Sequence, residues 1–156
     1  MSLKRVSKQF IICLLTLFIL AGCNDGNQGY HEVTSIEKAI EDAGFEIEVP
    51  EELASSIQKT INVYDAGMIE IIYLNLNHHE TGRIRKAVGD KDVTDFLKEK
   101  YDKEEIYEYN DIEYTLFTTK NMIYLVSWKD SGYSYCMYIV KGKYTTEIDE
   151  LLDMTK

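Results

Sequence analysis

Ile112-Glu113-Tyr114-Thr115-Leu116-Phe117-Thr118-Thr119, Met122-Ile123-Tyr124-Leu125-Val126-Ser127-Trp128 and Tyr133-Ser134-Tyr135-Cys136-Met137-Tyr138-Ile139-Val140 are three runs dense in β-branched and aromatic residues. Such side chains suit a pleated, half-buried surface. Only Lys120-Asn121 separates the first two runs, and Lys129-Asp130-Ser131-Gly132 separates the last two. Splits this short admit hairpin turns and leave no room for a crossover helix, so the runs predict an antiparallel meander.

Further upstream the same signals are sparser. Ile61 to Tyr64 and Met68 to Leu76 flank Asp65-Ala66-Gly67 and read as a hairpin, and another strand is expected from Arg83 to Val88, ending at Gly89. Phe45-Glu46-Ile47-Glu48-Val49 alternates strictly before Pro50, the only proline, which predicts a short edge strand or an extended arm.

Three helices are expected. In the first, Thr34-Ser35-Ile36-Glu37 has capping-box spacing, with Thr34 as the cap. Ile36, Ala39, Ile40 and Ala43 recur at helical intervals, and Gly44 supplies a left-handed stop, giving a helix over 35–43. Asp92 to Lys98 predicts a surface helix with Val93, Phe96 and Leu97 facing inward. Thr145 to Leu152 predicts a capped C-terminal helix with Ile148, Leu151 and Leu152 on one side. The fold class expected is α+β: an antiparallel β-sheet, a meander in its C-terminal half, with helices packed on one face.

The N-terminus carries a different message. Lys4, Arg5 and Lys8 precede an apolar run from Phe10 to Leu20, the layout of a signal peptide and about half the length of a membrane-spanning helix. Leu20-Ala21-Gly22-Cys23 closes that run and resembles the lipobox of bacterial lipoproteins, in which Leu20, Ala21 and Gly22 are read by the signal peptidase and Cys23 is lipidated. The expected organisation is a leader over 1–22, a lipidated Cys23 and a polar, glycine-containing tether to residue 30, and one extracytoplasmic domain over 31–156. Its location is then the outer face of the cell membrane, held by the lipid on Cys23.

Charge agrees with an anchor of that kind. The chain of 156 residues has a formal charge of −10, and the leader holds three of its 17 basic residues and none of its 27 acidic ones. The mature chain is therefore more acidic still, and nucleic acid and anionic headgroups both repel it. No nucleic-acid partner is expected, and attachment must come from acyl chains. Of three cysteines, Cys13 lies in the leader and Cys23 would be a thioether, leaving Cys136 alone and no intramolecular disulfide.

Candidate chemistry is thin. His78-His79-Glu80 is the one cluster of metal-ligand types, but neighbours on a strand point to opposite faces and no third ligand falls at a recognised spacing, so no metal site is predicted. Cys136 alternates with Tyr135 and Met137 and reads as a small buried hydrophobe, far in sequence from His31, His78 and His79. Phosphate-binding glycine loops, Gly-x-Ser-x-Gly and His-Glu-x-x-His are all missing from the chain, and no cofactor or catalytic residue is assigned. The twelve tyrosines all follow the leader, and Tyr114, Tyr124, Trp128, Tyr133 and Tyr135 fall in the three β runs. Tyr124 and Trp128 are expected on one strand face, as are Tyr133 and Tyr135. Trp128, Tyr133 and Tyr135 are the candidate contact surface.

Ser127-Trp128-Lys129-Asp130-Ser131-Gly132-Tyr133-Ser134-Tyr135, followed by Thr145-Thr146-Glu147-Ile148, resembles the C-terminal part of an uncharacterised extracytoplasmic domain family of Firmicutes. In that family a Trp-x-x-x-Gly-Tyr-x-Tyr hairpin precedes a terminal helix, and Asn110-Asp111-Ile112-Glu113-Tyr114 matches the turn and strand leading into it. The likeness covers residues 105–153. The family occurs in lipoproteins and outside the membrane helix of anti-sigma-factor-like proteins, and it carries no catalytic residues over to this chain. A curved sheet crossed by helices is also similar, in general layout, to lipoprotein-carrier folds that hold acyl chains.

Two functions follow as expectations. One is a non-enzymatic, lipid-anchored interaction or sensory domain with a membrane or cell-wall protein as partner. The other is a binding protein or carrier for a small hydrophobic ligand or acyl chain, which requires a cavity of a few hundred Å³.

Overall fold

In a computed structural model, residues 29–50, 53, 58–97 and 101–153 are described. The expected leader, Cys23 and most of the tether lie outside them. Eight strands form one sheet: β1 (Tyr30–Val33), β2 (Gln58–Tyr64), β3 (Met68–Leu74), β4 (Glu80–Val88), β5 (Lys103–Tyr109), β6 (Ile112–Thr119), β7 (Met122–Asp130) and β8 (Tyr133–Tyr144). Their order across the sheet is β1-β2-β3-β4-β8-β7-β6-β5, and every pairing is antiparallel. Two four-strand meanders thus meet along β4 and β8.

Turn chemistry explains the second meander. Asn110-Asp111, Lys120-Asn121 and Ser131-Gly132 all have positive φ at both positions, the two-residue hairpin turn whose twist matches that of its strands. Asp130 accordingly ends β7 rather than sitting in a four-residue loop.

Among the described residues helices are few and short and strands predominate. Helix α1 (Ile36–Ala43) is capped by the Ser35 hydroxyl, which accepts from the Lys38 amide at 3.2 Å, one residue later than the expected Thr34. Gly44 at φ 80° ends it as expected, its amide donating to the Ile40 carbonyl. Helix α2 (Ile148–Asp153) follows a single 3-10 turn at Thr145–Glu147 and buries Leu151 and Leu152. Both helices pack into one cluster with Ile61, Ile69, Ile71, Ile84, Val126 and Met137, so the described helices share one face of the sheet. Residues 45–49 form the extended arm: Phe45 and Ile47 are buried, Glu46 and Glu48 are exposed, and among the described residues no strand pairs with them.

Asp92–Lys98 departs from expectation. Its described part, 92–97, is a loop. The Asp92 carboxylate accepts from the Thr94 amide and hydroxyl, a local bond that competes with helix formation. The inward residues are nonetheless those predicted. Val93, Phe96 and Leu97 pack with Met68, Ala87, Leu125 and Cys136 on the face opposite the helices. This segment carries the chain from β4, mid-sheet, toward β5 at the far edge, and so covers that second face.

A bulge corrects one further expectation. Thr118 pairs with Ile123 and Phe117 with Leu125, leaving Tyr124 as an extra residue in β7. Tyr124 therefore lies beside Tyr101, and Trp128 belongs to the opposite, helix-bearing face. Gly142 sits where β8 meets this bulge: at φ 67°, a Cβ there would fall 3.2 Å from the Ile123 carbonyl oxygen.

Candidate functional site

Register across the sheet places residues from five strands in one line on the helix-bearing face. Lys86 pairs with Tyr135, Tyr135 with Trp128, Trp128 with Tyr114, and Tyr114 with Tyr107. The Trp128 and Tyr135 rings stack, 5.0 Å apart and 3° from parallel, and Tyr114 leans on Trp128 at 5.6 Å. At the far end, the Tyr107 hydroxyl donates to Asp149 of α2.

Above the middle of this row the face is uncovered. A pocket of about 280 Å³ opens between the 47–50 arm and strands β4, β8, β7 and β6. Its floor is Ile84, Met137, Ile112 and Tyr114, and Trp128 and Tyr135 line it. Glu48, Asp130 and Lys86 are its three charged lining residues. Trp128 and Tyr135 are half-buried, so each ring is left partly open to the space. Tyr133 is not among the lining residues; it packs behind them, on Phe45 at 5.3 Å and on Tyr135 at 6.3 Å.

Lys86 is held unusually. Its ammonium lies 4.4 Å from the Tyr133 ring centroid, 5.2 Å from that of Tyr135 and 5.8 Å from that of Phe45. Ring faces attract the cation but do not neutralise it. Tyr135 feels the opposite sign: burial first, then the negative charge of Asp130 and more weakly Glu48, raises its phenol above the ordinary tyrosine range.

Of the three predicted contact residues, Trp128 and Tyr135 line this pocket, and Tyr133 adjoins it through its contact with Tyr135. Sequence reasoning missed Lys86 and Glu48, which reach it from β4 and the arm. Their only sequence trace is a polar residue inside an otherwise strand-like run.

The other face holds a polar row that sequence reasoning also missed. Asn62, Glu70, Arg85, Cys136, Ser127 and Thr115 are register neighbours across β2, β3, β4, β8, β7 and β6. Glu70 is 2 % exposed and accepts four bonds: from Asn62 at 2.9 Å, Tyr64 at 3.0 Å, Arg83 at 2.8 Å and Arg85 at 2.7 Å. Burial alone would raise its carboxyl, but Arg85, Asn62 and Arg83 outweigh that and hold it below the ordinary glutamate range. Arg83 also makes a bidentate pair with Glu80, and Arg85 pairs with Asp95 of the covering loop. Both guanidinium carbons lie against the Phe96 ring, at 4.3 and 4.4 Å. This network fastens the loop to the sheet.

Cys136 lies beneath that loop, fully buried, its Sγ 3.1 Å from the Val93 carbonyl oxygen. Burial pushes its thiol up to about 12, so it is protonated and unreactive at neutral pH. His78 and His79 occupy the exposed β3–β4 turn, where the Asn75 side chain accepts from the Asn77 and His79 amides. Glu80 is committed to Arg83, and no group of three metal-ligating side chains occurs among the described residues. Nor is any described helix long and apolar enough to cross a membrane.

Comparison with protein-family models, curated proteins and solved structures gives no match.

Proposed function

We propose that this chain is a non-enzymatic, lipid-anchored extracytoplasmic sensory or interaction domain, and that it recognises a small, largely apolar ligand in the pocket beside Trp128 and Tyr135. The observation that carries this reading is the 280 Å³ opening left above an aromatic row in an otherwise covered face. Aliphatic floor, aromatic walls and a few convergent polar groups are the usual make-up of a small-molecule site. The volume lies at the small end of such sites, and suits a side-chain-sized body or one end of a longer molecule.

Position supports the membrane reading. The chain enters the sheet at Tyr30, which pairs with Tyr64 at the end that also holds the 65–67 turn, Gly89 and the Ser131-Gly132 turn. The pocket row lies near that same end. From Cys23 to Tyr30 the backbone spans at most about 25 Å. A lipid on Cys23 would therefore hold the pocket close to the bilayer.

The aliphatic floor of Ile84, Met137 and Ile112 favours a second reading, a carrier for an acyl chain or other hydrophobic ligand. Native mass spectrometry of the chain from Asn24 onward, which retains every described element, separates the two. A retained adduct of lipid mass makes the protein a carrier. A bare mass, together with Trp128 emission that responds to added small ligands, supports the exchanging sensory site. For the anchor, Cys23→Ser should move the protein from the detergent phase to the aqueous phase on partitioning; wild-type protein in the aqueous phase would remove the lipoprotein reading.

A further inference from the structure

We propose that the ligand of the Trp128 pocket is an apolar zwitterion, a compact apolar body bearing one carboxylate or phosphate and one ammonium. The proposal rests on the binding reading above and specifies its chemistry. Three charged side chains line the pocket, and they are of both signs: Lys86 on β4, Glu48 on the arm, Asp130 at the end of β7. Among the described residues Lys86 has no carboxylate within ion-pair distance and is steadied only by the rings of Tyr133, Tyr135 and Phe45. Glu48 and Asp130 likewise have no cationic partner among the described residues.

In this acidic chain the remaining polar network shows the contrast. On the opposite face Glu70, Arg83, Arg85, Glu80 and Asp95 pair off completely. At the pocket, one cation and two anions surround an apolar floor and do not pair with one another. A purely anionic ligand would meet Lys86 but also the repulsion of Glu48 and Asp130. A purely cationic one would meet the reverse. A ligand with both charges satisfies all three groups while its apolar part covers Ile84 and Met137.

The chain contains a single tryptophan, Trp128, which lines this pocket and also a second one beside Asp92 and Thr94, so its emission reports binding without a label and the Lys86 and Glu48 variants assign it to this pocket. The test uses four compounds with one body and different charges: phenylalanine, 3-phenylpropionate, phenethylamine and 3-phenylpropanol. A second series on the leucine side chain keeps body shape from deciding the result. The zwitterion should perturb Trp128 at the lowest concentration, with the singly charged members about tenfold weaker. Lys86→Met should reduce the zwitterion to the level of the amine, and Glu48→Gln with Asp130→Asn to that of the acid. Equal binding of all four compounds overturns the zwitterion and leaves the apolar binding site intact. Tighter binding of a singly charged member than of the zwitterion also overturns it, as does silence from both series at millimolar concentration. The binding reading itself stands if any compound of either series shifts Trp128 or the native mass retains an adduct, and it falls only with a bare mass and silence from every compound.

Discussion

Arg85 and Lys86 are neighbours in sequence and stand on opposite faces of β4. Arg85 is 4 % exposed and tied to Glu70 and Asp95, whereas Lys86 rests on aromatic rings with no carboxylate partner among the described residues. One strand thus carries a structural cation on one side and a free one on the other. Alternation of the pleat makes this division possible. It also divides the experiments, because substitutions on one face should change stability and those on the other should change recognition.

Glu70 governs the acid limb of stability. Its carboxyl is held below the ordinary value of 4.5, despite burial, by Arg85, Asn62 and Arg83. The folded value is lower than the unfolded one, so this contribution is present above about pH 4.5 and is lost as pH falls through the folded value. Glu70→Gln should cost about 3 kcal/mol near neutrality, because the buried Arg85 and the half-buried Arg83 lose their shared carboxylate. Urea titrations from pH 7 down to pH 3 should show wild type losing stability faster than the variant, so that the two curves converge. A constant gap across that range would mean Glu70 does not titrate with folding.

The covering loop should act as a lock on Cys136. With its thiol pushed up to about 12 and fully buried, native protein should resist a disulfide reagent at pH 8 and react only on unfolding. Phe96→Ala removes the ring shared by Arg83 and Arg85 and should expose the thiol by local opening, at least tenfold faster than global unfolding allows. Labelling that follows global stability alone would show that the loop and sheet open together.

How far these features were legible in the sequence depended on where each residue finds its partners. Strands β7 and β8 bury side chains on both faces, β6 buries one face and half-buries most of the other, and all three turn on residues that accept positive φ, so composition and punctuation both mark them. Strands β1 and β5 are the sheet's two edges. Tyr30-His31-Glu32-Val33 is largely exposed, and Lys103-Glu104-Glu105-Ile106-Tyr107-Glu108-Tyr109 looks like solvated surface until pairing with β6 is known. Charges on an edge strand discourage further pairing, and the same charges hide the strand from a hydrophobic pattern. The 92–97 segment gave its inward residues correctly because Val93, Phe96 and Leu97 are apolar whatever the backbone does. Its helix failed on the Asp92–Thr94 side-chain bonds. At the pocket, the aromatic residues lie close together along β7 and β8 and were visible; Lys86 joins them only through register and Glu48 only where the arm lies over the sheet, about 40 residues or more away.

Gly142 is required by close approach as well as by φ. Alanine there would bring Cβ to 3.2 Å from the Ile123 oxygen and 3.3 Å from the Met122 Cβ, in a left-handed conformation. Gly142→Ala should cost about 2 kcal/mol or more. Gly44→Ala, also left-handed at φ 80° but with nothing within 4 Å, should cost only about 1 kcal/mol. Chemical denaturation of the two variants measures the difference, and equal losses would show that the β7–β8 junction yields.

Tyr73 is almost wholly buried, and its hydroxyl has no hydrogen-bond partner among the described residues. Burial raises its phenol well above the ordinary range. Tyr73→Phe removes an unsatisfied polar atom while keeping the ring, and should leave stability unchanged or raise it by about 1 kcal/mol. A loss larger than about 1 kcal/mol in the same denaturation assay would reveal a bond that this hydroxyl makes in solution.

Trp128 and Tyr135 should separate packing from recognition. Each ring is half-buried, so truncation removes a stack worth about 1 kcal/mol together with part of its buried area. Tyr135→Ala should therefore fold with a native circular dichroism spectrum and lose about 2 kcal/mol, less than a core truncation such as Ile71→Ala, for which about 4 kcal/mol is expected. Trp128→Phe should be milder still. If the aromatic row exists to hold the sheet together, Tyr135→Ala will fall as far as Ile71→Ala. If it lines a binding site, the variant will stay folded and the response of Trp128 to added ligand will disappear. Fold and response can be read on one sample, so that loss of the second without the first assigns the ring to recognition.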